Sequence, residues 1–419
     1  MIRSLFLRLA PSRTDAPPTT GAGGAGAERP PARGGASARE RLGAWGELLR
    51  VSALLSVPGD ALAGAAAAGA RPGRGTAWAV GASLCLYEAG MALNDWADRH
   101  EDAAERPHRP VPSGRVSPGA ALGAAGVLTA AGLALAARAG RPPLAVATAL
   151  AATVWAYDLR LKHTAAGPAA MAAARGLDLL LGATATVAGV RRGVTGAARP
   201  GPLATGGAGG ASHRTTARPP AASPLTARPP ATLPLITSRL TALPLTALPS
   251  AAVLAAHTYA VTAVSRHEVQ GGSTTAPLGA LAAVAVLGAL TASPRPGPHS
   301  SDPHGAAPHS SDPHRPAPYR PGERRRPPFA PHRAPCRSTA ELVAPLLAAV
   351  YLRTAARPLL DAALNPSPLL TGRAVGGGIR AMIPLQAALM SRSGATAGGL
   401  ALLALAPSAR RLARKVSPT

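Results

Sequence analysis

Four acidic or amide side chains lie close together and could jointly hold a cation. Their pattern is N-D-x-x-D-x-x-x-D, and it follows directly on an apolar stretch. On a helix the three carboxylates would have i, i+3 and i+7 spacing and share one face, where they repel each other unless a cation compensates. Mg²⁺ prefers oxygen ligands and commonly bridges carboxylates to substrate phosphates. The residues of this acidic motif are Asn94, Asp95, Asp98 and Asp102.

A proline-rich segment with two arginines follows the acidic motif. Its pattern is R-P-x-R-P-x-x-S-G-x-x-S, beginning at Arg106 and containing Arg109. Guanidinium groups bind phosphate oxygens through paired hydrogen bonds, so these arginines could grip phosphates that a cation bridges to the carboxylates. Together these groups form the arrangement that a departing diphosphate requires. A solvated, charge-rich helix end is the alternative, and it would be the better explanation for an acidic cluster alone.

The combined pattern closely resembles the first aspartate-rich motif of the UbiA prenyltransferases. The stretch Y-D-L-R-L-K at 157–162, with the residues after it up to Arg175, is similar to the segment that follows the fourth helix of that family. The resemblance covers residues 45–190 and resumes from 250 to the end. It implies a bundle of nine membrane helices with a central cavity that opens sideways to lipid. It also implies transfer of an isoprenyl group from a prenyl diphosphate to an acceptor.

The resemblance, together with the residue types, assigns roles within the pattern. Mg²⁺ is the implied cofactor, and the charged side chains stabilise the departing diphosphate. No residue stands out as a base for the acceptor, so the acceptor stays open. The implied catalytic residues are Asp95, Asp98, Asp102 and Lys162. The implied substrate-binding residues are Asn94, Arg106, Arg109 and Arg266, and the implied Mg²⁺ ligands are Asp95, Asp98, Asp102 and Glu268.

The second aspartate-rich motif of the family, which follows its sixth helix, is altered in this sequence. The corresponding stretch at 265–272 reads S-R-H-E-V-Q-G-G, in which Glu268 is the single carboxylate. This form, together with I-P-L-Q at 383–386, resembles an EboC-like branch of the superfamily. Arg266 either binds phosphate or forms an interfacial ion pair with Glu268. The alteration also leaves open a protein that binds or transports a lipid-linked or small metabolite without catalysis.

Two further acids lie within apolar stretches. Asp60 follows Pro58 and Gly59, so it either faces a cavity or partner inside the membrane or caps the first turn of a new helix. Asp178 lies three residues after Arg175, and we expect these two side chains to pair.

Apolar stretches long enough to cross a bilayer, or nearly so, would position these residues. Hydrophobic residues make up 47 % of the chain and charged residues 15 %, and the mean hydropathy is +0.13. The sequence therefore predicts an all-α, polytopic membrane bundle of about nine helices. The predicted spans are 45–68, 76–94, 118–138, 142–157, 168–190, 247–264, 275–292, 339–356 and 379–405.

Two proline-rich insertions interrupt the predicted spans. The first repeats T-A-R-P-P and the second repeats P-H-S-S-D-P-H. Such segments lack helix-forming capacity and bury little apolar surface, so we expect them to be disordered. The predicted organisation is a disordered basic arm at 1–42, helices one to five at 43–192, an insertion at 193–246, helices six and seven at 247–292, an insertion at 293–338, and helices eight and nine with a basic tail at 339–419.

The net charge of +25 predicts contact with anionic lipid headgroups rather than nucleic acid. Aromatic residues make up only 3 % of the chain, so the stacking platforms that single strands need are scarce. The basic arm predicts a cytoplasmic N-terminus and a cytoplasmic acidic motif in the cell membrane. With nine helices the basic C-terminal tail would lie outside, against the same rule. The sequence does not indicate an oligomeric state.

Overall fold

The computed structural model describes residues 37–50, 56–197, 244–268, 271–293, 339–405 and 407. These residues form helices and turns without a β-strand, which confirms the predicted all-α class. Most of the predicted basic arm and of both predicted insertions lies outside the described residues.

The described residues form twelve α-helices. A π-helical turn, Tyr157–Leu161, follows the sixth helix, and a short 3₁₀ helix, Leu245–Ala247, precedes the eighth. The helices are α1 Ala38–Leu48, α2 Pro58–Ala67, α3 Arg74–Ala97, α4 Arg99–Glu105, α5 Pro118–Ala139, α6 Arg141–Ala156, α7 Gly167–Ala197, α8 Leu248–Ser265, α9 Thr275–Ala292, α10 Thr339–Leu364, α11 Pro368–Arg392 and α12 Thr396–Ala404.

Six helical segments of the described chain are long and apolar enough to cross a membrane. They correspond to α5, α6 with the π turn, α7, α8 with the 3₁₀ helix, α9 and α10. The helices α3 and α11 have 24 and 25 residues, but they contain more polar and charged side chains. The chain is therefore a multi-pass membrane protein.

The first and last predicted spans are divided in the structure. The stretch 45–68 contains α1, with 11 residues, and α2, with 10 residues. At about 1.5 Å per residue, neither crosses a hydrocarbon core of about 30 Å. Pro58 begins α2 because proline lacks a backbone N–H and fits the first helical turn. The stretch 379–405 turns between α11 and α12 at Gly394, whose φ of 87° suits glycine.

The helix α7 lies at the centre of the bundle, against α2, α3, α6 and α8. In its apolar span 61 % of the residues are buried, compared with 22 % in α5. Glycines let α2 and α7 approach closely: a Cβ at Gly64 would lie 2.0 Å from the carbonyl oxygen of Leu179. This contact brings α2 against the interior of α7.

A buried hydrogen-bonded group joins three helices of the second half. The ring nitrogens of His257 lie 3.0 Å from the Tyr351 hydroxyl and 3.1 Å from the Gly378 carbonyl oxygen. Because a carbonyl only accepts, Nε2 of His257 donates to Gly378, and Nδ1 accepts from Tyr351. The group fixes α8, α10 and α11 relative to one another.

The ends of α3, α6 and α8 meet at one end of the bundle. Lys162, just after the π turn, pairs with Asp98 at the end of α3. Arg266, just after α8, donates a hydrogen bond to the carbonyl oxygen of Thr164. Three segments that are distant in sequence are thus brought together there.

Candidate active site

The acidic motif changes direction at Asp98. This residue lies between α3 and α4 with φ −86° and ψ 2°. Backbone hydrogen bonds nevertheless continue, from Asp98 N to Asn94 O at 2.9 Å and from Asp102 N to Asp98 O at 2.8 Å. Asp95 and Asp102 therefore keep the shared face that their spacing predicts.

Arg109 joins the first and last carboxylates of the motif. Its Nη1 lies 2.7 Å from Asp102 Oδ2 and 3.6 Å from Asp95 Oδ1. Arg106 approaches Asp102 from another side, at 3.5 Å. Asp102 is thus neutralised by arginines, and its role as a Mg²⁺ ligand stays a prediction.

Arg50 is a site residue that the spacing of the sequence did not indicate. Its Nη2 lies 3.8 Å from Asp95 Oδ1, and its backbone has a positive φ of 48°. It belongs to a stretch that was expected to be one continuous membrane helix. An arginine inside an apolar stretch was the available signal, because such residues usually face a cavity or a partner.

Asp98 belongs to a second group of charged side chains, together with Lys162, Glu101 and His163. Ligand atoms of Asp98, Glu101 and His163 all lie within 4.8 Å of one another. The sequence did not single out Glu101 or His163, although Glu101 lies within the acidic motif and His163 directly follows the Y-D-L-R-L-K stretch. Their proximity arises only when the ends of α3 and α6 meet.

The donor atoms of this end of the bundle fit a divalent cation. The carboxylates of Asp98 and Glu101 supply the oxygen ligands that Mg²⁺ prefers, and an imidazole such as His163 also binds several first-row metals. In addition, Asp95 Oδ1 is buried and accepts no hydrogen bond from any described residue. The ion pairs of this oxygen with Arg50 and Arg109, at 3.8 and 3.6 Å, are too long for hydrogen bonds, so a bound ligand at a shorter distance would stabilise it.

Asn94 and Asp158 connect the acidic motif to a cavity. Asn94 Nδ2 donates to Asp158 Oδ1 at 3.1 Å, and both residues line the cavity. Asp158 lies in the π turn, a rare geometry that is frequent at functional sites. The turn therefore aims a buried carboxylate at the motif.

The cavity has a volume of about 450 Å³, which lies within the range of small-molecule sites. Near the acidic motif its lining includes Arg50, Asn94 and Asp158. Apolar side chains from several helices form much of the remaining wall, among them Leu86, Met91, Leu150, Val154, Val261, Val375 and Met382. A molecule with a charged head and an apolar body would match this division.

The altered second motif is only partly connected to this site. Arg266 binds the backbone of Thr164, in the loop that carries Lys162. Glu268 is exposed and lies beside Gly372, where a Cβ would be 3.1 Å from Glu268 Oε1. The ion pair considered between Arg266 and Glu268 is not found in the described part of the chain. The role of Glu268 as a metal ligand stays a prediction.

A second polar cluster lies deeper in the bundle. Arg175 Nη1 donates to Asp60 Oδ2 at 2.5 Å, and Gln386 Nε2 donates to Asp60 Oδ1 at 2.7 Å. Asp178 instead accepts from the Ser83 hydroxyl at 2.7 Å. The expected pairing of Asp178 with Arg175 is therefore wrong, because the close packing of α2 against α7 offers the guanidinium Asp60. Asp60 has a partner and does not cap α2 through its side chain.

Comparisons with known proteins agree with the motif. Residues 56–211 match the family model of the UbiA prenyltransferase family. Digeranylgeranylglyceryl phosphate synthase of Methanopyrus kandleri is 39 % identical over 97 residues, covering 23 % of this chain and 36 % of the relative. The enzyme of the same name from Methanothrix thermoacetophila is 39 % identical over 105 residues, covering 25 % and 39 %. The chain thus spans well under half the length of these curated relatives.

Among solved structures, a UbiA homologue from Aeropyrum pernix K1 is 16 % identical, with a TM-score of 0.42, and the match covers 77 % of this chain and 96 % of that one. These matches do not single out a branch, so the EboC-like assignment stays a prediction. The family-model match contains both the acidic motif and the π turn. Over residues 56–211 this chain is therefore similar to the UbiA prenyltransferase family.

Proposed function

We propose that the chain is an integral membrane prenyltransferase that moves an isoprenyl group from a prenyl diphosphate to an acceptor. The observation that carries this proposal is that Arg50 borders both the cavity and the acidic motif. This residue lines the cavity and also lies 3.8 Å from Asp95 in the acidic motif. A prenyl diphosphate has a matching form, with an apolar chain for the cavity and an anionic head for the charged end.

The cationic side chains would stabilise the negative charge that develops on the departing diphosphate. Arg109 and Lys162 are held in place by the carboxylates that they contact, so they need little reorganisation during the reaction. Arg50 and Arg106, with 42 % and 47 % of their side chains exposed, are free to turn toward a phosphate. Mg²⁺ bound near Asp98, Glu101 and Asp95 would supply Lewis-acid stabilisation of the leaving group.

The wall of the cavity would protect the reacting carbon from water. Its apolar side chains exclude competing solvent until an acceptor attacks. The relatives are named digeranylgeranylglyceryl phosphate synthases, so a geranylgeranyl donor is the first to test. The proposed partners are a prenyl diphosphate, an acceptor still to be identified and the lipid bilayer, without nucleic acid.

Membranes containing the full chain, incubated with labelled geranyl, farnesyl and geranylgeranyl diphosphates and a panel of aromatic and lipid acceptors, test the proposal. We expect a prenylated product and Mg²⁺-dependent release of diphosphate. Asp98→Asn should slow both by about a hundredfold or more, whereas Glu105→Gln, a matched change at an exposed acid of α4, should slow neither. Absence of product and of diphosphate release with every donor would contradict the proposal.

The acidic motif is proposed to face the cytoplasm from the cell membrane, because the loop after it is dense in arginine. His100 is exposed in α4, so His100→Cys provides a label site beside the motif. A membrane-impermeant thiol reagent should label this variant only from the cytoplasmic side of sealed vesicles. Labelling from the outside alone would overturn the orientation. The matched background is the chain with Cys85 and Cys336 replaced by alanine.

A second candidate is a UbiA-like protein that binds or transports a lipid-linked or small metabolite without catalysis. The position of Glu268 favours it, since this carboxylate is exposed and lies outside the group formed by Asp98, Glu101 and His163. Tight Mg²⁺-dependent binding of a prenyl diphosphate without release of diphosphate would favour this candidate over the enzyme.

A further inference from the structure

The cavity has a second polar region, far from the acidic motif. Ser83, Arg175 and Asp178 line it there. Ser83 and Asn94 lie on the same helix, and a rise of about 1.5 Å per residue places them about 16 Å apart along its axis. This deep polar region therefore lies near the middle of a hydrocarbon core about 30 Å thick.

The hydrogen bonds of the deep region leave one carboxylate incompletely satisfied. Asp60 receives hydrogen bonds from both Arg175 and Gln386. Asp178 receives one at Oδ2 from Ser83, but its Oδ1 is buried and accepts none from any described residue. Asp60 and Asp178 also face each other, so two ionised carboxylates there would repel each other unless they shared a proton. One guanidinium thus compensates two carboxylates.

The presence of one guanidinium beside two carboxylates determines which kind of ligand the deep polar region can bind. Unpaired ionisable groups are costly inside a membrane, and those that line a cavity commonly mark a binding pathway. A hydrogen-bond donor would satisfy Asp178 Oδ1, whereas an anion would meet the excess negative charge. Leu86 and Met382, in the wall of the same cavity, offer apolar contact to the rest of the molecule.

We propose that Asp178, positioned by Ser83, binds a hydroxyl or amino group of a ligand whose apolar body fills the cavity. This inference goes beyond the proposed function, because it holds for an enzyme and for a carrier alike. If the chain transfers prenyl groups, the ligand is the acceptor. Its donor group then lies about 16 Å from the Asn94 end of the cavity, remote from the atom that is alkylated.

Three probes with the same C20 chain test the proposal: geranylgeraniol, geranylgeranylamine and geranylgeranyl methyl ether. Their affinities for the full chain in lipid nanodiscs are measured by displacement of tritiated geranylgeraniol. The ether keeps the apolar body but cannot donate a hydrogen bond. We expect the alcohol and the amine to bind at least about tenfold more tightly than the ether, the magnitude of a hydrogen bond to a charged group.

Two substitutions of Asp178 assign the preference to this residue. Asp178→Leu should remove the preference for the alcohol and the amine over the ether. Asp178→Asn keeps an acceptor oxygen without the charge, so it should weaken the amine more than the alcohol. Thr184→Val is the matched control, because Thr184 is buried in the same helix and its hydroxyl bonds the Leu180 carbonyl, away from this cavity.

The ratio of affinities for alcohol and ether is taken within each variant, so it does not depend on the folded fraction. Equal binding of alcohol and ether by the unmodified chain would overturn the proposal and indicate that the two carboxylates share a proton instead. A preference that persists in Asp178→Leu would overturn it as well. Mg²⁺-dependent diphosphate release, measured on the same nanodiscs, tests the proposed function separately.

Discussion

The ends of α3 and α8 lie at the same end of the bundle, yet they carry unequal chemistry. At the end of α3, Asp95 and Asp98 lie among arginines, a lysine, Glu101 and His163. At the end of α8, Glu268 is exposed and Arg266 contacts a backbone carbonyl. Deeper in α8, His257 serves to hold three helices together. This difference supports the proposal that the first half of the chain binds the anion, while the second half completes the wall of the cavity.

The largest effect is expected at the α3 end. Asp98→Asn keeps the size of the side chain but removes the charge that a cation needs, and it also releases Lys162. If the lost stabilisation amounts to several kcal/mol, prenyl transfer should slow by about a hundredfold or more. Turnover of the variant is measured across a Mg²⁺ titration, with Glu105→Gln as the control. A wild-type rate in Asp98→Asn would contradict the view that the end of α3 contributes more to catalysis than the end of α8.

A smaller effect is expected from Arg109→Lys. Lysine keeps the charge, but its differently shaped side chain would not place a nitrogen where Arg109 Nη1 contacts both Asp95 and Asp102, so the position of both carboxylates loosens. The rate of prenyl transfer should fall by roughly tenfold, which corresponds to about 1.4 kcal/mol. Arg115→Lys, at an exposed pair with Glu47, is the matched control. Equal losses in the two variants would show that the contacts of Arg109 with Asp95 and Asp102 are not the cause of the loss.

A substitution in the second half of the chain should lower the free energy of unfolding rather than the affinity for prenyl diphosphate. His257→Phe removes both buried hydrogen bonds and leaves Tyr351 and the Gly378 carbonyl without their partner. We expect the free energy of unfolding to fall by about 2 kcal/mol or more. Unfolding in mixed micelles gives this value, and prenyl-diphosphate affinity is measured on the folded fraction. A loss of affinity at unchanged stability would give His257 a direct role in the site.

The smallest effect is expected from Glu268→Gln. Because Glu268 is exposed and does not belong to the group formed by Asp98, Glu101 and His163, its loss should change turnover by no more than about threefold, the scale of an exposed charge. The comparison with Asp98→Asn is made in the same membranes. A loss as large as that of Asp98→Asn would mean that both ends hold the cation, as the family pattern implies.

The sequence predicted those parts of the site that depend on short-range spacing. Asp95 and Asp102 share a face across one bend, as their i, i+7 spacing requires. The resemblance added Lys162, which the structure places against Asp98. Arg50 and His163 escaped prediction because their contacts depend on how separate helices meet. Long-range packing carries no local periodicity that a sequence would reveal.

The fold, like the site, was predictable where it depends on local sequence and not where it depends on how separate helices pack. Apolar stretches indicated α5, α6, α8 and α9 closely, whereas α7 and α10 continue to Ala197 and Leu364, past the predicted ends at 190 and 356. Hydropathy alone did not register that Pro58 begins a new helix or that Gly394 allows a turn. The pairing of Asp60 with Arg175, rather than of Asp178 with Arg175, likewise follows from the glycine-mediated contact of α2 with α7.

We propose above all that the α3 end of the bundle holds a prenyl diphosphate through a divalent cation. The most direct test is equilibrium binding of labelled geranylgeranyl diphosphate to the full chain in nanodiscs, across a Mg²⁺ titration, for the unmodified chain, Asp95→Asn, Asp98→Asn and Glu268→Gln. We predict Mg²⁺-dependent binding in the unmodified chain and in Glu268→Gln, and weak binding that no longer responds to Mg²⁺ in the two aspartate variants. Binding that is independent of Mg²⁺ and unchanged in both aspartate variants would contradict the account.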